Sequence, residues 1–464
     1  MFPANVSTKS SNKKAQMISM KFLCGFCALL WLCTSLFAQT PREKPKLKDF
    51  GSSLKKLKWD AQKNQAVNSG EPDSDGNSSD DEVIRIETSL VVSDVLVSDK
   101  QGNPVRNLVA TDFAISEDGV QQQVGHFVLA DNVNLSRSIV LIIDYSRSQF
   151  PYIADSIEAA KVLVDKLRPH DQMAIVTDDV ELLVGFTSDK RDLKKALDSL
   201  IEKTHGSKGF LGIGNKRQQF GRSAQFSALM ATLNEAFDEE DQSPVIVFQT
   251  DGDEIEYLRN SVIVHEVPPG VPPELLGEVQ EEVEQKKKLQ RAGVTEFSLD
   301  DVYRAVERSR ATIYTIIPRT RLLGLTQAEQ IQRLTAEDER VVATWTGAAS
   351  STKLKSIFQA RQEERRKRLT KEIWQARLDQ ELKVQEALVE LGKISGGWAE
   401  FLETRSQVAG IYNRIVQELN QRYIIGYYPT NKVRDGKRRR ISIEVKGHPD
   451  YLITSRKSYY APEQ

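Results

Sequence analysis

The feature that most constrains the fold is an unbroken apolar run, Ser138 to Ile143, that ends in the carboxylate of Asp144. Continuous β-branched and aliphatic residues over this length are typical of a strand buried on both faces of a parallel α/β sheet. In such sheets ligands bind beyond the carboxyl ends of the strands, so we expect Asp144, Ser146 and Ser148 at a binding edge. Asp and Ser after a strand also commonly cap the next helix, and the motif alone leaves both interpretations open.

Further apolar runs alternate with segments of helical periodicity. The predicted later strands are 172–177, 182–186, 244–250 and 311–317, and the predicted helices begin at 153, 187, 223 and 298. This alternation predicts a doubly wound sheet, and the carboxyl ends of its parallel strands meet at one edge. Asp251 follows one strand and Ser223 opens a helix, so both join Asp144 at that edge. An oxygen-only cluster of this kind suits a hard cation such as Mg²⁺.

Taken together, Asp144-x-Ser146-x-Ser148, Ser223 and Thr250-Asp251-Gly252 resemble the metal-ion-dependent adhesion site of the von Willebrand factor type A (VWA) domain. The resemblance implies an α/β, Rossmann-like, doubly wound and mainly parallel sheet. It also implies a Mg²⁺ or Mn²⁺ ion held by five residues, with an Asp or Glu of a partner protein completing its coordination. The implied ligands are Asp144, Ser146, Ser148, Ser223 and Asp251. Ser223 stands where the family usually has Thr, and the substitution keeps a hydroxyl.

The segments outside this region divide the chain further. Residues 83–131 show short alternating runs broken by turns, which indicates a small antiparallel β module. The polar composition of 39–82 predicts a disordered linker, and 321–386 is charged and helix-favouring. The predicted units are an export signal (1–38), the linker (39–82), the β module (83–131), a VWA-like domain (132–320) with an insertion at about 255–296, a charged helical insertion (321–386), a return to the VWA-like domain (387–422), and C-terminal strands (423–464) packing with 83–131.

With its C-terminal motifs Tyr423–Pro429 and Lys457–Tyr460, the chain further resembles exported VWFA-related domain proteins first catalogued from acidobacteria. Lysines precede the apolar stretch 22–37, which predicts an export signal cleaved near Ala38; the alternative is an uncleaved membrane anchor. We therefore expect an exported protein of the periplasm, cell envelope or medium. The three cysteines all lie in this stretch, so the remainder has no disulfide or thiol chemistry. A net charge of -1 argues against a nucleic-acid partner.

Three functions follow from these patterns. The first is a non-enzymatic adhesion or scaffold module that binds a partner carboxylate through its metal ion. The second is a metal-assisted hydrolase at the same site, for which His205 is the nearest candidate base among the five histidines. The third is a scaffold with a vestigial metal site that acts through the helical insertion. That insertion is either a partner-binding arm or a solvated helix packed on the domain.

Overall fold

The structure of the chain is a computed structural model. It describes residues 57–60, 65–68, 90–129, 136–205, 223–237, 243–261, 263, 265–267, 271, 273–293, 295–348, 356 and 371–463. All of these lie within one unit, 45–464. The predicted export signal, 1–38, lies outside the described residues. Among the helices that are described, none is long and apolar enough to cross a membrane.

The strands and helices are labelled in chain order. The described strands are β1 (Leu57–Asp60), β2 (Gln65–Asn68), β3 (Val91–Ser98), β4 (Phe113–Glu117), β5 (Val120–Gln122), β6 (Val124–Leu129), β7 (Ser138–Ile143), β8 (Gln172–Thr177), β9 (Leu182–Thr187), β10 (Pro244–Gln249), β11 (Thr312–Ile317), β12 (Trp398–Phe401), β13 (Tyr423–Tyr427), β14 (Arg438–Val445), β15 (Leu452–Thr454) and β16 (Ser458–Tyr460). The described helices are α1 (Ile153–Lys166), α2 (Lys190–His205), α3 (Gln225–Glu235), α4 (Pro273–Gly293), α5 (Leu299–Arg308), α6 (Gln327–Ala348), α7 (Lys371–Ile394) and α8 (Val408–Leu419).

The central sheet has the strand order β12-β11-β10-β7-β8-β9. Its neighbouring strands are parallel except β9, which runs antiparallel to β8 at one edge. The order reverses beside β7, the first strand of this sheet in the chain, and such a switch point is where doubly wound sheets bind ligands. The predicted fold class, a Rossmann-like, mainly parallel α/β sheet of the VWA kind, is confirmed by this topology.

The central sheet is buried on both faces, and alternate residues of β7 belong to different cores. Val140 and Ile142 pack with residues of α3, α5 and α7 on one face. Ile139, Leu141 and Ile143 pack with residues of α1, α2 and α8 on the other. Burial on both faces explains why β7 is a continuous apolar run without polar alternation.

Two further four-stranded sheets, ordered β15-β3-β13-β6 and β16-β14-β4-β5, form the antiparallel β module. In both of them strands from the C-terminal end of the chain pair with strands of 90–129. The apolar core between the sheets includes Phe113, Tyr423 and Ile443. The N- and C-terminal β segments therefore make one structural element although the whole central sheet separates them in sequence.

Two described elements lie within or across the segments that were distinguished in the sequence. Strands β1 and β2 pair as an antiparallel hairpin inside 39–82, the segment predicted to be a disordered linker. Helix α7 runs without a break across position 386, where the helical insertion was predicted to end. Val384, before that position, already belongs to the core beneath the sheet. The apolar residues of α7 that pack beneath the sheet therefore begin before position 386.

Candidate metal centre

Strand register brings three chain segments to the same point at the carboxyl edge of the central sheet. Ile143 lies level with Thr177 of β8 and with Gln249 of β10. The residues that follow this row are Asp144, Asp178 and Thr250, and Asp251 comes one position later. Two of the predicted ligands, Asp144 and Asp251, are therefore placed beside each other by the parallel pairing of β7 with β10.

Asp144 is 2% exposed, and both of its carboxylate oxygens accept hydrogen bonds. Oδ1 accepts from the backbone N–H of Ser146 at 2.9 Å. Oδ2 accepts from the Gln225 amide at 2.8 Å and from the Thr250 hydroxyl at 3.3 Å. These donors come from the loops after β7 and β10 and from the first residue of α3, so three separate segments hold the carboxylate in one orientation.

The two serines of the motif lie side by side. Ser146 Oγ and Ser148 Oγ are 2.9 Å apart and share a hydrogen bond. Ser146 is fully buried, whereas Ser148 is half-buried in the middle of a 3-10 turn, Arg147–Gln149. The hydroxyl pair follows Asp144 directly in the chain.

Asp251 is 1% exposed and is fixed at both oxygens. Its Oδ2 accepts a hydrogen bond of 2.6 Å from the side-chain amide of Gln149. Its Oδ1 accepts from the backbone N–H of Asp253 at 3.2 Å. Gly252 stands between them in a left-handed conformation, with φ of 78°, which turns the chain sharply after Asp251.

Ser223 reaches this cluster by a route that the motif does not predict. Its backbone N–H donates to Asp178 Oδ2 at 2.9 Å, and the N–H of Tyr145 donates to Asp178 Oδ1 at 3.1 Å. Ser223 has a left-handed φ of 55°. Two residues later, the Gln225 side chain contacts Asp144 directly. Among the described residues, the hydrogen bond that ties Ser223 to the cluster is thus made by its backbone.

The carboxylates of the cluster repel one another. Burial, followed by the negative charges of Asp251 and Asp178, raises the pKa of Asp144 well above its usual range. Burial also raises the pKa of Asp178 to about 7, although the N–H groups of Tyr145 and Ser223 oppose the shift. Buried like charges of this kind are stabilised by a cation, which favours their ionised forms.

The chemistry of the donor set fits a small divalent cation. Its five predicted members offer only oxygen, two carboxylates and three hydroxyls, as Mg²⁺ or Mn²⁺ prefers. Within the described part of the chain, no group of three or more His, Cys, Asp or Glu side chains is placed to hold a metal. A metal at this edge would therefore depend on the hydroxyls of Ser146 and Ser148 as well as on carboxylates.

Sequence reasoning missed three side chains that complete the cluster. Asp178 had a detectable signal, because Thr177-Asp178-Asp179 directly follows an apolar strand in the same way as Asp144 and Asp251 do. Gln149 and Gln225 had none, because their partners lie 102 and 81 positions away in the chain. Neither glutamine belongs to a local motif that distinguishes it from a surface residue.

The helical insertion borders the site. A Cβ added at Gly252 would lie 2.9 Å from Val384 and 3.1 Å from Leu388, both on α7. Arg319, just after β11, pairs with Glu381 of α7 at 2.8 Å and lies 4.0 Å from Asp253. Helix α7 therefore packs directly against the loop that carries Asp251.

Helix α6 contacts Tyr152, which lies between the serine motif and the start of α1. The Tyr152 hydroxyl donates to Glu337 of α6 at 2.7 Å, and the Arg340 guanidinium stacks on the Tyr152 ring at 4.6 Å. Arg377 of α7 pairs with Asp338 of α6 at 2.6 Å. The described parts of α6 and α7 are therefore packed against each other and against the domain, with a small apolar core of their own.

In the described part of the chain, no hydrogen bond or ion pair joins a histidine to Asp144, Asp178 or Asp251, and His170 accepts one from Ser136 through its backbone oxygen. His126 is on β6, His448 stacks on Tyr451 at 4.4 Å, and His265 lies 3.6 Å from Glu256. The loop after His205, residues 206–222, lies outside the described residues, as does the His205 side chain. His205 as a catalytic base stays a prediction.

The strand order and the oxygen-rich edge define a VWA-like, Rossmann-type α/β protein. No family model and no curated protein matches the sequence. Similar solved structures include the von Willebrand factor domain of the type V pilus tip protein Mfa5 from Porphyromonas gingivalis, at 11% identity and TM-score 0.30, covering 62% of this chain and 95% of that one. Another is a von Willebrand factor type A protein from Catenulispora acidiphila, at 9% identity and TM-score 0.28, covering 82% of this chain and 75% of that one. A third is manganese-loaded TRAP protein from Plasmodium vivax, at 12% identity and TM-score 0.25, covering 74% of this chain and 97% of that one.

The resemblance to VWA structures that the motifs predict is therefore found among solved structures as well. The fold is defined by the strand order of the chain itself.

Proposed function

We propose that this chain is an exported, non-enzymatic protein-binding module of the adhesion or scaffold type. A Mg²⁺ or Mn²⁺ ion held by Asp144, Ser146, Ser148, Ser223 and Asp251 ligates an Asp or Glu side chain of a partner protein. One observation carries the proposal. Two buried carboxylates, Asp144 and Asp251, lie at the switch point of the sheet together with the hydroxyls of Ser146 and Ser148, whose Oγ atoms are 2.9 Å apart.

The residues have distinct tasks in this proposal. Asp144 and Asp251 supply the negative charge, and their hydrogen bonds to Gln225 and Gln149 fix the directions in which their oxygens point. Ser146 and Ser148 add neutral oxygens, so only two of the five proposed ligands carry a negative charge. The bound cation supplies a Lewis-acidic position that a carboxylate of the partner occupies.

An enzymatic alternative needs a group that activates water beside the ion. The site as described contains amides, hydroxyls and carboxylates that are already held by hydrogen bonds, and this composition favours binding over catalysis. The scaffold alternative dispenses with the ion and acts through α6 and α7.

A relaxation experiment tests the proposal. Mn²⁺ bound to the protein enhances the longitudinal relaxation of water protons, and a carboxylate that replaces a bound water lowers that enhancement. We expect a saturable enhancement with MnCl₂ that decreases when acetate or an aspartate-containing peptide is added. Asp144→Asn should abolish the enhancement, whereas Asp198→Asn, whose side chain is 54% exposed on α2, serves as the matched control. Enhancement that acetate does not reduce would contradict carboxylate ligation, and no enhancement in the unmodified protein would contradict metal binding.

A further inference from the structure

Gln149 directly follows the motif serines and is buried against a predicted metal ligand. It ends the 3-10 turn Arg147–Gln149 and is 1% exposed. Its Nε2 donates a hydrogen bond of 2.6 Å to Asp251 Oδ2. The amide therefore lies at the carboxylate itself and not at the surface of the loop.

The other end of the same amide has no partner among the described residues. Gln149 Oε1 is fully buried and accepts no hydrogen bond from any of them. A carbonyl oxygen accepts only, so its partner has to be a donor or a cation. A buried acceptor without a partner is rare in folded proteins and marks a position where a water or an ion belongs.

We propose that Gln149 is a positioning residue of the cation site. Its Nε2–H holds Asp251 in the orientation that faces the ion, and its Oε1 accepts a hydrogen bond from a water in the ion's coordination shell. This inference rests on the proposed function, because it concerns the same ion. It adds a role for a residue that lies outside the motif.

The neutrality of the amide has a consequence for the partner. Asp144 and Asp251 are the two carboxylates among the proposed ligands, and Asp178 already adds a further buried carboxyl group to the cluster. A carboxylate at position 149 would add another negative charge directly beside Asp251. Gln149 thus holds Asp251 in place without adding a charge. A Glu at the same position would repel the carboxylate of the partner.

Two substitutions at position 149 separate positioning from a purely structural role. Gln149→Met keeps the length of the side chain but removes both polar contacts, and we expect Mn²⁺ affinity, measured by relaxation enhancement, to fall about 10- to 100-fold. Gln149→Glu also removes the Nε2–H donor, but its negative charge attracts the cation, so Mn²⁺ should still bind while the effect of acetate weakens about 10-fold or more. A structural role alone predicts that both variants unfold more easily and that neither changes the acetate response.

The matched control is Gln122→Met. Gln122 is also buried, at 5% exposure, but its amide donates to Val120 and Thr430 within the β module. This variant should lose stability while Mn²⁺ affinity and the acetate response stay at the values of the unmodified protein.

The outcomes are distinguishable. Absence of Mn²⁺ binding in the unmodified protein overturns the proposed function and this inference together. Mn²⁺ binding that Gln149→Met leaves unchanged overturns the role of Gln149 alone. An acetate response in Gln149→Glu equal to that of the unmodified protein overturns the role assigned to the neutral amide.

Discussion

Gly252 lies so close to Val384 that a Cβ on the glycine would stand 2.9 Å from a methyl carbon of the valine. The contact joins the turn after Asp251 to helix α7, which was predicted to return to the domain only after position 386. The loop of the candidate metal site and the end of the helical insertion are therefore packed as one element. Substitutions in this contact affect both.

Gly252→Ala should lower the free energy of unfolding by about 2–4 kcal/mol. The left-handed φ of 78° strains any residue with a Cβ, and overpacking against α7 adds to this cost. Urea denaturation measures the change. Gly277→Ala is the control, because nothing lies within 4 Å of an added Cβ there and alanine favours the helix. Equal effects of the two substitutions would show that the contact with α7 is not tight.

The ion pair between Arg137 and Asp171 is buried, with 2% and 1% of the side chains exposed and an Nη2–Oδ2 distance of 2.5 Å. Arg137→Met leaves the Asp171 carboxylate buried without its cation, and we expect a loss of about 3–5 kcal/mol in the free energy of unfolding. Glu390→Gln breaks the exposed pair with Lys393 and should cost no more than about 1 kcal/mol. Chemical denaturation of both variants checks this contrast, which disappears if the first pair is solvated in solution.

Helix α5 begins with a capping box in which Ser298 and Asp301 exchange hydrogen bonds. The backbone N–H of Ser298, followed by its hydroxyl, lowers the pKa of Asp301 to about 2. Because this value lies below the ordinary 3.8, ionised Asp301 stabilises the folded protein above about pH 4. That contribution is lost as the pH falls towards 2.

Asp301→Asn should therefore flatten part of the decline in the free energy of unfolding between pH 4 and pH 2. Urea denaturation at several pH values in this window measures the slope. Ser298→Ala, which removes the other half of the box, should cost about 1 kcal/mol at neutral pH. A slope in Asp301→Asn equal to that of the unmodified protein would contradict the assignment.

The β module contains a buried carboxylate shared by two tyrosines. The hydroxyls of Tyr427 and Tyr459 donate to Glu117 Oε2 at 2.9 and 2.8 Å. Tyr427→Phe should lower the free energy of unfolding by about 1.5–3 kcal/mol, as expected for a lost hydrogen bond to a carboxylate. The adjacent Tyr428 is 52% exposed, so Tyr428→Phe should change stability by no more than about 0.5 kcal/mol. Thermal denaturation compares the two, and similar losses would mean that the Glu117 network is not formed.

The central sheet was predictable because burial on both faces leaves a strong local signal. Strand β8 was predicted at its observed bounds, Gln172–Thr177, and helix α1 was predicted to begin at its observed first residue, Ile153. These elements depend on apolar residues at regular spacing, which the sequence displays directly. The same spacing also placed Asp144 and Asp251 at one edge.

The remaining parts of the site depend on contacts between residues distant in sequence. The hydrogen bond from Gln149 to Asp251 and the one from Gln225 to Asp144 leave no local pattern. Ser223 joins the cluster through its backbone hydrogen bond to Asp178. Its backbone has a left-handed conformation that serine rarely adopts, so its position could not be predicted from the sequence. These contacts can be identified only in the three-dimensional structure.

Isothermal titration of MgCl₂ into the protein tests the central claim most directly. The account predicts saturable binding at a single site that is lost in Asp144→Asn and in Asp251→Asn and is retained in Asp198→Asn. Both ligand variants should remain folded, as checked by far-UV circular dichroism. Absence of saturable Mg²⁺ binding in the unmodified protein, or binding that persists in both ligand variants, would contradict it.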